Sequence, residues 1–124
     1  MSGDPRVRLA DRGSVPVAHI AGELDVASAP ALRNKLFDAV VNQDLGLVVD
    51  LSDATYVDSA GLNLLFELAE RLATRQVAFA IVYPEGGIVD RVFGLVDIGS
   101  VARVHHSVDA AVHDILSHRT DPGE

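Results

Sequence analysis

Hydrophobic positions along the chain fall into alternating strand-like and helix-like blocks. Val7 and Leu9 alternate with Arg6 and Arg8, and past a Gly13-Ser14 turn Val15, Val17 and Ile20 continue a strand-like run. Gly22-Glu23-Leu24-Asp25 breaks that pattern. Ser28 then suits a helix N-cap, Pro30 suits a first turn, and Leu32, Leu36 and Val40 recur at helical spacing. Residues 45–51 are apolar on both faces except for Asp50, as expected of a strand covered on both sides. A short polar loop is expected after Leu51, with a second helix beginning at Ser59. Residues 77–82 read as another doubly apolar strand, 88–95 as a short helix and 101–104 as a short strand. Val108, Ala111, Val112, Ile115 and Leu116 make one stripe of a final helix. The order β-β-α-β-α-β-α-β-α predicts an α/β fold. Its sheet should be mixed but mostly parallel, of about five strands with about four helices, opened by an antiparallel pair.

At 124 residues the chain suits one domain spanning 1–124, with an ordered core over about 6–118. The polar, Pro- and Gly-containing ends at 1–5 and 119–124 are expected to be flexible. A domain of this size buries roughly two-thirds of the surface of its unfolded chain. Hydrophobic residues make up 48% of the chain and Trp is absent, so the core must be largely aliphatic. The lack of cysteine excludes disulfides, thiolate metal sites and thiol catalysis. Neither a signal-peptide core nor an apolar run near the ~20 residues of a membrane helix is seen, so a cytoplasmic, soluble protein is expected. Ten basic residues against eighteen acidic give a formal net charge of −8. Such a surface repels phosphate backbones, which argues against direct nucleic-acid binding.

The most informative stretch is Val48-Val49-Asp50-Leu51-Ser52-Asp53-Ala54-Thr55-Tyr56-Val57-Asp58-Ser59-Ala60-Gly61-Leu62. A strand leads into a helix start here, and sites in open α/β sheets lie beyond the carboxyl ends of strands. Ser59 is placed as an N-cap, where the helix dipole also accommodates an anion. Capping alone would account for a serine at that point. On a helical wheel Leu62, Leu65, Phe66, Ala69, Leu72 and Ala73 form a core stripe, and Asn63, Glu67, Glu70 and Arg71 a wet face. Leu64 falls among the polar residues and Leu68 at the border, which predicts that both are exposed and available to a partner.

Enzyme chemistry is poorly supplied. Val57-Asp58-Ser59-Ala60-Gly61 resembles a nucleophile elbow, but Val57 stands where the strained turn needs glycine. The bases on offer are His105, His106, His113 and His118, of which His113 and His118 fall on the wet side of the last helix. A phosphoaspartate receiver using Asp50 or Asp58 would need a lysine late in the sheet, and the only lysine, Lys35, is in the first helix. Gly86-Gly87 is not followed by the Gly-Lys-Ser/Thr of a nucleotide-binding loop, so any phosphate here must be added by another protein. His105 and His106 are adjacent and would point to opposite faces of a strand, which disfavours a metal site.

Two stretches carry a resemblance. Ile20-Ala21-Gly22-Glu23-Leu24-Asp25-Val26-Ala27-Ser28-Ala29-Pro30-Ala31-Leu32 is similar to the second strand and first helix entry of STAS-domain anti-sigma factor antagonists. Asp58-Ser59-Ala60-Gly61-Leu62 resembles their phosphorylation loop, in which the serine after the aspartate is the acceptor. Arg91-Val92-Phe93-Gly94-Leu95-Val96-Asp97-Ile98-Gly99 fits the late helix and the turn after it. The sequence departs from the family at Ala60, often Ser or Thr, and at Asn63, usually Gly. The resemblance implies a non-enzymatic regulator without cofactor or metal. Unphosphorylated, it would bind a GHKL-type anti-sigma factor serine kinase and free a sigma factor. Phosphorylation of Ser59 would end the binding, and a PPM-type serine phosphatase would restore it. Asp25, Asp58, Ala60, Gly61, Asn63 and Leu64 are the expected partner-binding positions. The alternative is a STAS scaffold that binds partners without phosphorylation, alone or within a larger regulatory assembly.

Overall fold

The computed structural model describes residues 7–40 and 45–120, with side chains described as far as Ser117. The strands are β1 (Val7–Arg12), β2 (Val15–Leu24), β3 (Gly46–Val57), β4 (Ala78–Val82) and β5 (Arg103–His105). The helices are α1 (Ala29–Val40), α2 (Ser59–Thr74), α3 (Ile88–Phe93) and α4 (Val108–Thr120), with a 3₁₀ turn at Ile98–Ser100. The sheet runs β1-β2-β3-β4-β5, with β1 antiparallel to β2 and every later pair parallel. Of the ends expected to be flexible, 1–5 and 119–124, only Arg119 and Thr120 are described, and their backbone continues α4; the rest lie outside the described residues.

Gly13 and Ser14, with φ of 61° and 76°, form the two-residue turn of the β1–β2 hairpin, and positive φ at both positions matches a type I′ turn. From β2 onward each crossover steps the same way across the sheet. Right-handed crossovers therefore place α1, α2 and α3 on one face. There Leu32, Leu36, Leu65, Leu68, Val89 and Phe93 join Ile20, Val49 and Ile81 in one core cluster. Helix α4 returns across the other face, where Ala111, Val112 and Ile115 cover Val15, Val17, Val48, Ala80 and Val82. Each inner strand thus feeds two cores, which is why its sequence is apolar on both sides.

The polar loop expected after Leu51 is instead strand. Between the pairs His19–Asp50 and Ala21–Asp53, β2 advances two residues and β3 three. Between Gly22–Ala54 and Glu23–Tyr56, β2 advances one and β3 two. Each extra residue is a β-bulge. The bulges turn the two-residue period of β3 into three, so Leu51, Ala54 and Val57 all reach the core with two exposed residues between each.

Candidate functional site

The ends of β2 and β3 and the start of α2 are tied together through Asp58. Its amide donates to the Leu24 carbonyl at 3.0 Å. Its Oδ1 accepts from the amides of Ala60 (2.9 Å) and Gly61 (3.1 Å), and its Oδ2 from the amide of Val26 (3.3 Å). Asp58 is therefore the N-cap of α2, not Ser59 as the sequence suggested. An aspartate reaches the second and third helical amides when it stands one residue before the helix, and Ser59 already lies inside it. Ser59 is exposed, as expected, and its hydroxyl takes no part in the cap.

A similar displacement occurs at α1. The Asp25 carboxylate takes the amides of Ala27 (3.1 Å) and Ser28 (2.9 Å), while the amide of Asp25 donates to Ser28 Oγ (3.0 Å). This reciprocal pair works as a capping box, with Asp25 in the leading role expected of Ser28. Ser28 is buried and its hydroxyl donates to the Glu23 carbonyl at 2.7 Å. Both loops at the top of the sheet are thus held by short aspartate-centred networks, and Val26 projects between them, 74% exposed.

The α2 positions separate clearly. Asn63 is exposed and Ala60 half-buried, both in the first turns of the helix beside Ser59. Gly61 is buried against Leu24. Leu64 and Leu68, expected at the surface, are 3% and 0% exposed. The wheel drawn on α2 alone missed that the helix lies in a corner, against the sheet and α1 together. Its buried arc is Gly61, Leu64, Leu65, Leu68, Ala69 and Leu72, while Ala73 of the expected stripe is exposed. At the outer seam of that corner Arg33 pairs with Glu67 at 2.6 Å, and the guanidinium holds the Glu67 carboxyl below its usual range. Arg33 and Arg71 both stack on the ring of Phe37.

Asp50 sits in a buried strand and is 9% exposed. Its Oδ2 meets His19 Nδ1 at 2.7 Å, and its Oδ1 accepts from the amide (3.0 Å) and hydroxyl (2.7 Å) of Ser52. His19 was not among the residues picked out from the sequence. The signal was Asp50 itself, because a carboxylate in a doubly apolar strand requires donors. The histidines with described side chains are committed elsewhere than Ser59: His105 to Asp114, His106 to the Tyr83 carbonyl and His113 to Ser117. Among the described residues no group of three His, Cys, Asp or Glu side chains is arranged to hold a metal ion, and no helix is long and apolar enough to cross a membrane.

Residues 6–111 match the model of the STAS domain. The chain belongs to the STAS family. Anti-sigma-F factor antagonist RsfB of Mycobacterium tuberculosis is 29% identical over 115 residues, 93% of either chain. An anti-sigma factor antagonist from Mycobacterium paratuberculosis superposes with a TM-score of 0.80 at 24% identity, over 93% of this chain and 99% of that one. The Bacillus anti-sigma factor antagonist SpoIIAA, solved unphosphorylated and phosphorylated, superposes at a TM-score of 0.66 in both forms. Identities are 16% and 17%, over 90% and 88% of this chain and 97% and 98% of SpoIIAA. A single five-stranded STAS domain is thus the frame in which Ser59 sits.

Proposed function

We propose that this STAS protein is an anti-sigma factor antagonist switched by phosphorylation of Ser59. Unphosphorylated, it binds a GHKL-type anti-sigma factor kinase and so frees a sigma factor. The kinase then transfers the γ-phosphoryl group of ATP to Ser59 Oγ, releasing ADP and the hydroxyl proton, and the phosphoprotein lets go. A PPM-type phosphatase hydrolyses the phosphoester and returns the protein to its binding form. The protein itself is the substrate and the binder.

One observation carries this reading: at the motif position the resemblance marks as the acceptor, Ser59 is exposed at the helix start while its neighbour does the capping. Modifying the hydroxyl therefore breaks no hydrogen bond of the cap. The names of the mycobacterial relatives support the antagonist role, and the two forms of SpoIIAA support a phosphorylated state. Asp25, Asp58, Ala60 and Asn63 stay within the proposed contact area. Buried Gly61 and Leu64 support it from behind.

Intact-mass measurement after incubation with the GHKL-type kinases of the source organism and ATP tests the proposal. One added phosphate, lost in Ser59→Ala, together with weaker binding of the modified protein to that kinase, is the expected result. Unmodified protein that binds the kinase regardless of ATP would favour the phosphorylation-independent scaffold.

A further inference from the structure

Helix α4 covers only part of its face of the sheet. The core cluster beneath it takes Val15 and Val17 from β2 and Val48 from β3, and nothing further along either strand. Past the His19–Asp50 pair both strands run on, with the α1–α3 core on one side and no helix of the described residues on the other. The side chains there, Ala21, Glu23, Ser52, Asp53, Thr55 and Tyr56, are all exposed. The two bulges double the number that β3 turns outward, since each in-facing residue is followed by two exposed ones.

Tyr56 stands out among them. It is 47% exposed and lies directly across from Glu23, and directly opposed residues share a face. None of the six side chains is basic, and two are carboxylates. Tyrosine is also among the residues most enriched at binding hot spots, and its ring face attracts a cation.

We propose that this bare face of the β2–β3 ribbon, centred on Tyr56 with Glu23 and Asp53, is the docking surface for an arginine- or lysine-bearing segment of the anti-sigma partner. The inference rests on the function proposed above and moves the main contact from helix α2 to the sheet. Charge selects the occupant. A second copy of this chain would set carboxylates against carboxylates, whereas a basic segment meets both carboxylates and the ring. Position supports it too: Tyr56 precedes Ser59 by three residues, at most roughly 11 Å of extended chain. A standard interface of about 800 Å² per partner covers both. Docking on the ribbon would then hold the kinase beside the hydroxyl it modifies.

The test measures affinity for the kinase found to phosphorylate Ser59, with thermal melts of every variant. Tyr56→Ala and the Glu23→Gln/Asp53→Asn double variant should each melt near wild type and bind roughly tenfold or more weakly. The double variant should also flatten the salt dependence of binding. Asp38→Asn, which removes a single carboxylate from exposed α1, should bind as wild type. If the ribbon variants bind normally while Ser59→Asp weakens binding, the docking surface is overturned and the switch stands. A wild-type chain that neither binds nor is modified by any such kinase overturns both.

Discussion

A Cβ at Gly61 would lie 2.5 Å from the carbonyl oxygen of Leu24 and 2.8 Å from its Cβ. Real Cβ atoms do not approach backbone that closely, so only glycine lets the first turn of α2 press onto the end of β2. The same Leu24 carbonyl accepts the amide of Asp58, which leaves it little freedom to retreat. Gly61→Ala should therefore destabilise the fold by about 1–3 kcal/mol, the usual range for overpacking, despite alanine's better helix propensity. Urea denaturation reads this directly. A neutral or stabilising result would mean that the α2–β2 contact is looser than described.

Leu64→Ala should behave as a core truncation. Its side chain is 3% exposed within the cluster shared by α1, α2 and the sheet, so removing it leaves a cavity worth about 2–5 kcal/mol. Partner affinity, measured well below the melting temperature, should change little. The opposite pattern, normal stability with weak binding, would return Leu64 to the surface.

The two residues at the start of α2 should separate by stability. Asp58→Ala strands three amides, those of Val26, Ala60 and Gly61, and should cost about 0.5–2 kcal/mol, while Asp58→Asn should recover most of it. Ser59→Ala removes no capping bond and should fall within about 0.5 kcal/mol of wild type. Equal losses for Asp58→Ala and Ser59→Ala would mean that the hydroxyl shares the cap.

Much of this architecture was legible in the sequence because each inner strand and α4 carry apolar patterns of unambiguous period. What stayed hidden depended on pairing across the chain. The bulges of β3 exist only relative to β2, and without them Leu51, Ala54 and Val57 read as the end of a strand and a loop. Leu64 looked wet because the wheel contained no α1. His19 and Asp50 are 31 residues apart, and nothing local joins them. The exposure of Ser59 follows from local chain geometry and is legible in the sequence. Its capping role was misassigned because Asp58 and Ser59 are both good caps and only the backbone decides which stands outside the helix.

Tyr83 gives a pH dependence with a defined sign. Its ring is buried and meets Phe93 edge-on at 5.1 Å between centroids. Burial first, and then the charge of Asp90, raise its phenol pKa above the ordinary value near 10. A group whose folded pKa is raised binds its proton more tightly when folded, so its contribution is intact below the unfolded value and is lost as pH rises through the folded one. Stability should thus decline above pH ~10, and Tyr83→Phe should lessen the decline. Denaturation at pH 8 and at pH ~11 measures both, and parallel losses in the two proteins would assign the decline to other groups.

Phosphate on Ser59 should act on binding and hardly at all on folding. It carries about −1.5 to −2 charges at pH 7. At an exposed helix N-terminus the dipole favours an anion by roughly 0.3–1 kcal/mol. Asp58 already occupies the amides of Ala60 and Gly61, and its charge opposes the newcomer, while salt screens both effects. These opposing terms leave the melting temperature near that of the unmodified protein. An interface is less forgiving, because burying an unpaired charge costs several kcal/mol and each 1.4 kcal/mol is a factor of ten in affinity. That is enough to abolish micromolar binding. Ser59→Ala should bind the anti-sigma partner whether or not ATP is present. Ser59→Asp, with a single added charge, should fold normally and bind at an intermediate affinity. Affinities and melting curves for the four forms decide the matter: equal affinities would remove the switch, and a large drop in melting temperature on phosphorylation would show that the phosphate acts by disrupting the start of α2.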